Sequence, residues 1–247
     1  LMMPFVRMEM EHQIRKDAPE AFGEGKREFT TVSEGPGDLK LSALYEVHKI
    51  EDFTLHAGLG LSAPTGNIGE NDRAPGPGGF EERLLPAPMQ IGSGTFDALP
   101  SLTGVVHGER WATGFQGSGI VRLERNRNGY RRGHTIGAKT WFGYAVTDWV
   151  ATNLALHYQK EGPLVGRQKG VSEDTPFSEL SVTTADPDNF GGRRVDVGVG
   201  VNVFVPSGLL EGNRVGIDVR LPLYEDLNGI QLGTDYTVTA GWKWAFY

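Results

Sequence analysis

From Asp38 onward the chain places an apolar residue at every second position, a period that predicts strands rather than helices. Leu39, Leu41, Ala43, Tyr45 and Val47 fall on one face, with Asp38, Lys40, Ser42, Glu46 and His48 on the other. A tight turn at Glu51–Asp52 leads into Phe53, Leu55, Ala57, Leu59 and Leu61 against Thr54, His56, Gly58, Gly60 and Ser62, so the two runs read as a hairpin with matched faces. The clearest run is Val195, Val197, Val199, Val201, Val203 and Val205, with Arg194, Asp196, Gly198, Gly200 and Asn202 between them. The last run, Tyr236 to Tyr247, sets Tyr236, Val238, Ala240, Trp242, Trp244 and Phe246 against Thr237, Thr239, Gly241 and Lys243.

Further runs fill the interval. Phe96 to His107 returns through Trp111 to Glu124, Ile136 to Val146 returns through Val150 to Gln159, and Arg214 to Leu223 follows a turn near Pro206 to Asn213. The first residues alternate more weakly, with Met2, Val6, Met8 and Met10 against Phe5, Arg7 and Glu9. The total is about ten strands, each roughly the length of a tilted membrane-crossing strand. The segments 13–36, 65–93 and 161–191 read as long loops, and 65–93 holds too many glycines and prolines for regular structure. It reads either as an inward plug or gate or as a disordered surface loop. All three follow odd-numbered strands, which in a meander puts every long loop at one end of the sheet. Outer-membrane barrels have that asymmetry, with short periplasmic turns at the other end. It places the C-terminus on the periplasmic side, with Tyr144, Trp149, Trp242, Trp244 and Phe246 near one rim as an aromatic girdle.

A soluble β-sandwich alternates too, but its solvent faces carry mostly Lys, Glu and Thr. Here the polar faces hold Gly, Ser, Thr, His and charges of both signs, which suits a narrow wet lumen. The expected fold is therefore all-β, a transmembrane up-and-down antiparallel β-barrel, with residues 1–247 as one domain. Composition supports this. The 35 glycines and 14 prolines suit many turns, and the absence of cysteine removes disulfides and thiolate metal sites. A net charge of −7 with no basic stretch argues against nucleic acid as partner. No apolar run reaches the eighteen or so residues of a transmembrane helix. The first residues show neither the basic start nor the cleavage site of a signal peptide, so residues upstream of Leu1 are expected.

The end of the chain looks like the C-terminal aromatic strand that barrel assembly machinery recognises, with Tyr247 following the in-phase Phe246. The chain as a whole resembles outer-membrane transporters of the phenol-degradation MetA-pathway type. The matching pieces are MMPFVRMEMEH at the start, Ser33 to Tyr45, Leu59 to Gly66, Leu85 to Gly104 and Arg220 to Leu232. This resemblance implies a barrel of about twelve strands in the outer membrane of a Gram-negative bacterium, of which the present sequence holds the last ten, without an N-terminal hairpin. The expected function is passive passage of small, apolar or aromatic solutes through the barrel. The alternative is a structural or interaction barrel with a closed lumen, metal-linked through the Met-rich first strand. The other partners implied are outer-membrane lipid and the assembly machinery; no cofactor is implied.

The candidate lumen-lining residues are the charged and imidazole groups of the polar faces: Asp38, Lys40, Glu46, His56, Asp97, Arg122, Glu124, Lys139, His157, Arg194, Asp196, Asp218, Arg220 and Lys243. Across strands such groups pair with each other, and in an open pore they set selectivity. Met8, Met10 and His12 offer thioethers and an imidazole at period two, a set that suits Cu(I). The other reading is two lipid-facing methionines and a loop histidine. Asp38 after Gly35–Pro36–Gly37 reads as a metal loop or as the turn into the next strand. Ser101 and His107 lie on a polar face, but no spacing marks a nucleophile with its base, so no enzyme is expected.

Overall fold

The computed structural model describes residues 1–14, 26–76, 79–171, 183–205 and 211–244. In chain order the strands are β1 (Phe5–Gln13), β2 (Glu28–Pro36), β3 (Leu39–Ile50), β4 (Phe53–Ala63), β5 (Asn71–Gly76), β6 (Gly79–Leu84), β7 (Asp97–His107) and β8 (Trp111–Arg122). They continue with β9 (Tyr130–Arg131), β10 (Thr135–Ala145), β11 (Val150–Glu161), β12 (Val165–Gly166), β13 (Gly192–Phe204), β14 (Asn213–Leu227) and β15 (Thr237–Trp244). The long strands form one sheet of nine, ordered β3-β4-β7-β8-β10-β11-β13-β14-β15. Every neighbouring pair is antiparallel, so each long strand joins the next as an up-and-down meander.

The connections segregate. At one end lie the short links 51–52, 108–110, 146–149 and 205–212, and at the other 64–96, 123–134, 162–191 and 228–236. We call these the turn end and the loop end.

Two expectations are corrected. The first run is not a strand of the sheet, which has nine strands among the described residues rather than ten. β1 pairs with β2, in register from Phe5↔Pro36 to Gln13↔Glu28, because the polar stretch after it contains a returning strand that satisfies its amides. Among the described residues its backbone meets the sheet at Met2, which exchanges two 2.8 Å backbone hydrogen bonds with Lys40 on β3. The second correction concerns 65–93. Despite its breakers it contains the β5–β6 hairpin, and a 3₁₀ turn over Ala87–Met89.

The distribution of apolar side chains is the reverse of a soluble protein's. Large apolar groups on the long strands stand exposed: Ile136 at 62%, Val199 at 58%, Leu223 at 63% and Trp242 at 68%. The buried ones lie mostly in the connections, namely Ile68, Leu85, Ala87, Met89, Tyr130, Leu164 and Ala185, with Ala155 on a long strand. Leaving a side chain of this size in water forgoes about 1.5–3 kcal/mol relative to burial, and here the loss would recur on every long strand. A hydrocarbon layer removes it. Exposed Trp111, Tyr144, Trp149 and Trp242 cluster toward the turn end, and Trp111 stacks on Phe142 with ring centroids 6.5 Å apart. Phe246 and the side chain of Trp244, also expected in that girdle, lie outside the described residues.

At the loop end the connections fold on one another. Ala87, Tyr130 and Leu164 form a buried cluster against which Phe190 packs. Polar side chains stitch its backbone. Gln90 and Gln168 both donate to the Leu85 carbonyl (2.7 and 3.0 Å), and Arg132 donates to the Ala87 carbonyl (2.9 Å). The β1–β2 hairpin is tied to this cap: the Val32 amide donates to the Asp72 carboxylate (2.8 Å), and Ser33 Oγ to the Met89 carbonyl (2.7 Å).

Asp38, buried between β2 and β3, anchors the 64–96 segment. Its Oδ1 accepts from the Gly66 amide (2.9 Å) and its Oδ2 from the Ser93 amide and hydroxyl (2.8 and 2.7 Å). Gly66 and Gly92 make this possible, since a Cβ on Gly66 would stand 2.7 Å from Gly92 Cα.

Asp38→Ala leaves those buried donors unmatched and costs about 2 to 3 kcal/mol locally. Hydrogen exchange at the Gly66 and Ser93 amides should quicken, with the exchange of β10 and β11 unchanged. A pH response is expected in the hairpin. His12 donates or accepts at Nε2 with Thr31 Oγ1 (2.9 Å) and stacks on Phe29, and burial lowers its pKa from the ordinary histidine value. The neutral ring is thus the folded form. The hairpin's stability is complete above the ordinary histidine range and falls as pH drops below it and His12 protonates. Exchange at Thr31, corrected for intrinsic rate, should rise on acidification in the wild type and not in His12→Gln.

Candidate functional site

The polar side of the sheet is built from alternate positions, and antiparallel register lines them up across strands. One row runs Glu46↔His56↔Thr103↔Gln116↔Lys139↔His157↔Asp196, crossing from β3 to β13. Within it Gln116 Nε2 donates to Thr103 Oγ1 (2.9 Å), and Lys139 Nζ lies 5.7 Å from the centroid of the Trp141 ring. Glu46 is exposed and His56 half-buried, on the strands nearest one edge of the sheet.

Toward the loop end the charges are matched. Asp97 and Arg122 face each other across β7 and β8 in a buried ion pair, and Thr95 Oγ1 donates to Asp97 Oδ1 (2.6 Å). Arg194 lies 3.0 Å from Asp196 and 3.9 Å from Glu225, and donates to Thr234 Oγ1 (2.7 Å). The Arg194–Asp196 contact is close but is not aligned as a hydrogen bond, since Arg194 Nε and Asp196 Oδ1 have no hydrogen-bond partner. Desolvated charges persist only when paired, which accounts for these two groups.

Toward the turn end the pattern changes. A cavity of about 480 Å³ is lined by Lys139, Asn153, His157, Asn202, Arg214, Asp218, Arg220, Thr239 and Lys243, with Gly216, Gly241 and Ile217. It contains four cationic side chains and one carboxylate. Asn153 Nδ2 donates to Asp218 Oδ2 (3.2 Å), while Asn153 Oδ1 and His157 Nε2 are buried with no hydrogen-bond partner among the described residues.

β13 forms the floor beneath these groups. A Cβ at Gly200 would collide with Asn153 Oδ1 and Asp218 Oδ2, and one at Gly198 would meet Arg220, Asp218 and His157. The glycines let side chains of β11 and β14 reach across the intervening strand.

The structure thus gathers Lys139, His157, Asp218, Arg220 and Lys243 in one cavity, and places Asp97, Arg122, Arg194 and Asp196 in the paired groups nearer the loops. Asp38 belongs to the cap, Lys40 is held at the backbone by Met2, and Glu124 is exposed beyond β8, accepting from the Phe96 amide (3.4 Å). Asn153, Asn202, Arg214 and Thr239 complete the cavity without having been singled out from sequence. Their in-phase positions on the polar faces were the available signal.

Met8, Met10 and His12 do share the half-buried face of β1. Met10 lines a second cavity, of about 370 Å³, beneath Pro88 and Phe190, and the His12 ring is engaged by Thr31 and Phe29. Ser101 and His107 stand six positions apart on β7, roughly 20 Å along the strand.

No family model matches the chain, and no curated protein matches it in sequence. Its structure is similar to that of the COG4313 outer membrane channel from Pseudomonas putida F1, with a TM-score of 0.58 and 18% identity. The similarity covers 85% of this chain and 66% of that one, so the chain spans just under two thirds of that channel's length. At this identity the likeness establishes the fold, and the fold of this chain is that of an outer-membrane β-barrel.

Proposed function

We propose that this protein is a channel of the bacterial outer membrane through which small solutes diffuse passively. The observation that carries the reading is the two-sided wall: apolar side chains exposed on one face of every long strand, and glycine with charged and amide groups on the other. A hydrocarbon exterior and a wet interior satisfy both faces together. The similarity to a channel of the same fold and the sequence resemblance to MetA-pathway transporters support it, and the solutes expected are small apolar or aromatic molecules. The wall holds few strands, so the conduit is narrow. In this reading the turn end, with the C-terminal strand, faces the periplasm and the loop cap faces the exterior.

The alternative, a barrel closed to solutes, draws on the packed cap at the loop end. Planar-bilayer recording and liposome swelling separate the two. The wild type should give discrete conductance steps and admit small solutes. Gly200→Leu, which fills the space where Asn153 and Asp218 cross β13, should lower conductance severalfold while the protein still shows the heat-dependent gel shift of a folded barrel. Silent wild-type protein with intact fold would count for the closed barrel.

The orientation has its own test, made clean by the absence of native cysteine. A membrane-impermeant maleimide added to whole cells should label Asn67→Cys in the loop cap and leave Asp148→Cys at the turn end unlabelled until the outer membrane is opened.

A further inference from the structure

The polar face is electrically divided along its length, against the sign of the whole chain. The protein carries a net charge of −7, yet the cavity toward the turn end holds Lys139, Arg214, Arg220 and Lys243 against Asp218 alone. None of these four cations has a salt bridge among the described residues, whereas Arg122 and Arg194 nearer the loops both do. Arg214 and Lys243 are moreover direct cross-strand partners. Like charges placed opposite each other repel and are disfavoured unless something lies between them.

One further feature suits an anionic occupant. His157 Nε2 is buried in the cavity wall with no hydrogen-bond partner among the described residues, and with a proton on that nitrogen it donates to an anion. Gly198, Gly200 and Gly216 make room for the crossing side chains of Asn153, His157, Asn202, Asp218 and Arg220, and above Gly241 on β15 the space is open.

We infer that this cavity is a binding and selectivity site for small oxyanions, carboxylate or phosphate, resting on the channel reading above and narrowing its solutes to those that carry such a group. The two guanidinium forks of Arg214 and Arg220 suit the paired oxygens of such groups. Lys139 and Lys243 add charge, and in a narrow, low-dielectric conduit a net positive cluster concentrates the opposite ion. Asp218, which accepts from Asn153 Nδ2, offsets one of the four cations and leaves the cavity with a surplus of positive charge.

Reversal potentials in a potassium chloride gradient across planar bilayers test the site. Wild-type channels should favour chloride over potassium by about tenfold at low salt, with the preference shrinking as salt rises. Arg220→Glu and Lys243→Glu should each move the ratio toward potassium. Cation preference in the wild type, or ratios unmoved by both reversals, overturns the inference and leaves the channel reading intact. Acetate and phosphate on one side should slow the chloride current, and the stronger blocker separates carboxylate from phosphate; block by neither overturns an oxyanion site.

A second readout needs no conductance and so separates this inference from the channel reading. Trp141, beneath Lys139, should be quenched by iodide more than by caesium in detergent, measured as the difference between wild type and Trp141→Phe, and Lys139→Glu should reverse the order. Equal or caesium-favoured quenching overturns the site. Iodide-favoured quenching in a protein that carries no current upholds the site and overturns the channel.

Discussion

In a hydrocarbon layer no water is available to the backbone, so every amide and carbonyl at that depth must find its partner within the protein. The nine-stranded antiparallel ladder meets this demand along the length of each interior strand. Once the ladder satisfies the backbone, side chains alone decide what each face meets. A period of two then divides them into two chemistries that never mix on one face. The exposed row of Val199, Val201 and Val203 on β13 and the buried or half-buried row of Asp196, Gly198, Gly200 and Asn202 are the same stretch of chain seen from opposite sides.

Enclosing polar groups at short range brings a second problem, because charged side chains from adjacent strands compete for the same space. The solution on this sheet is to leave one strand nearly bare. β13 presents Gly198 and Gly200 where His157, Asn153, Asp218 and Arg220 lean in from the strands on each side. Near the loops, where the cap excludes water, charges are matched into Asp97–Arg122 and Arg194–Asp196–Glu225. Nearer the turns, the open cavity holds Arg214, Arg220 and Lys243 beside Asp218, with no salt bridge among the described residues.

The cap is a small soluble domain in its energetics. Its apolar residues Ala87, Tyr130 and Leu164 are buried together and form the kind of core that the sheet lacks. Its three connections come from far apart in sequence, which is why it depends on long-range side-chain anchors: Asp38 to Gly66 and Ser93, Asn126 to the Ser93 carbonyl, and Asn128 to the Ile68 carbonyl. The protein therefore joins a packed cluster at the loop end to long strands whose apolar side chains face outward.

The sequence by itself determined the long strands, their facing directions and the segregation of long and short connections, because alternation and turn residues act within a few positions of one another. The run at Phe5–Gln13 marks where that locality ends: it alternates like the others, yet its partner is β2, and only the pairing of the whole chain assigns it to a separate hairpin. The same holds for 65–93, whose breakers concealed the β5–β6 pair and the packing of Leu85 and Met89. Phase alone placed Lys139, His157, Asp218, Arg220 and Lys243 on the polar side of the sheet. Cross-strand register then decided that they share a cavity with Asn153 and Arg214, and that Asp38, on the same phase, belongs to the cap. Register depends on contacts between residues distant along the chain, and a two-residue period carries no record of them.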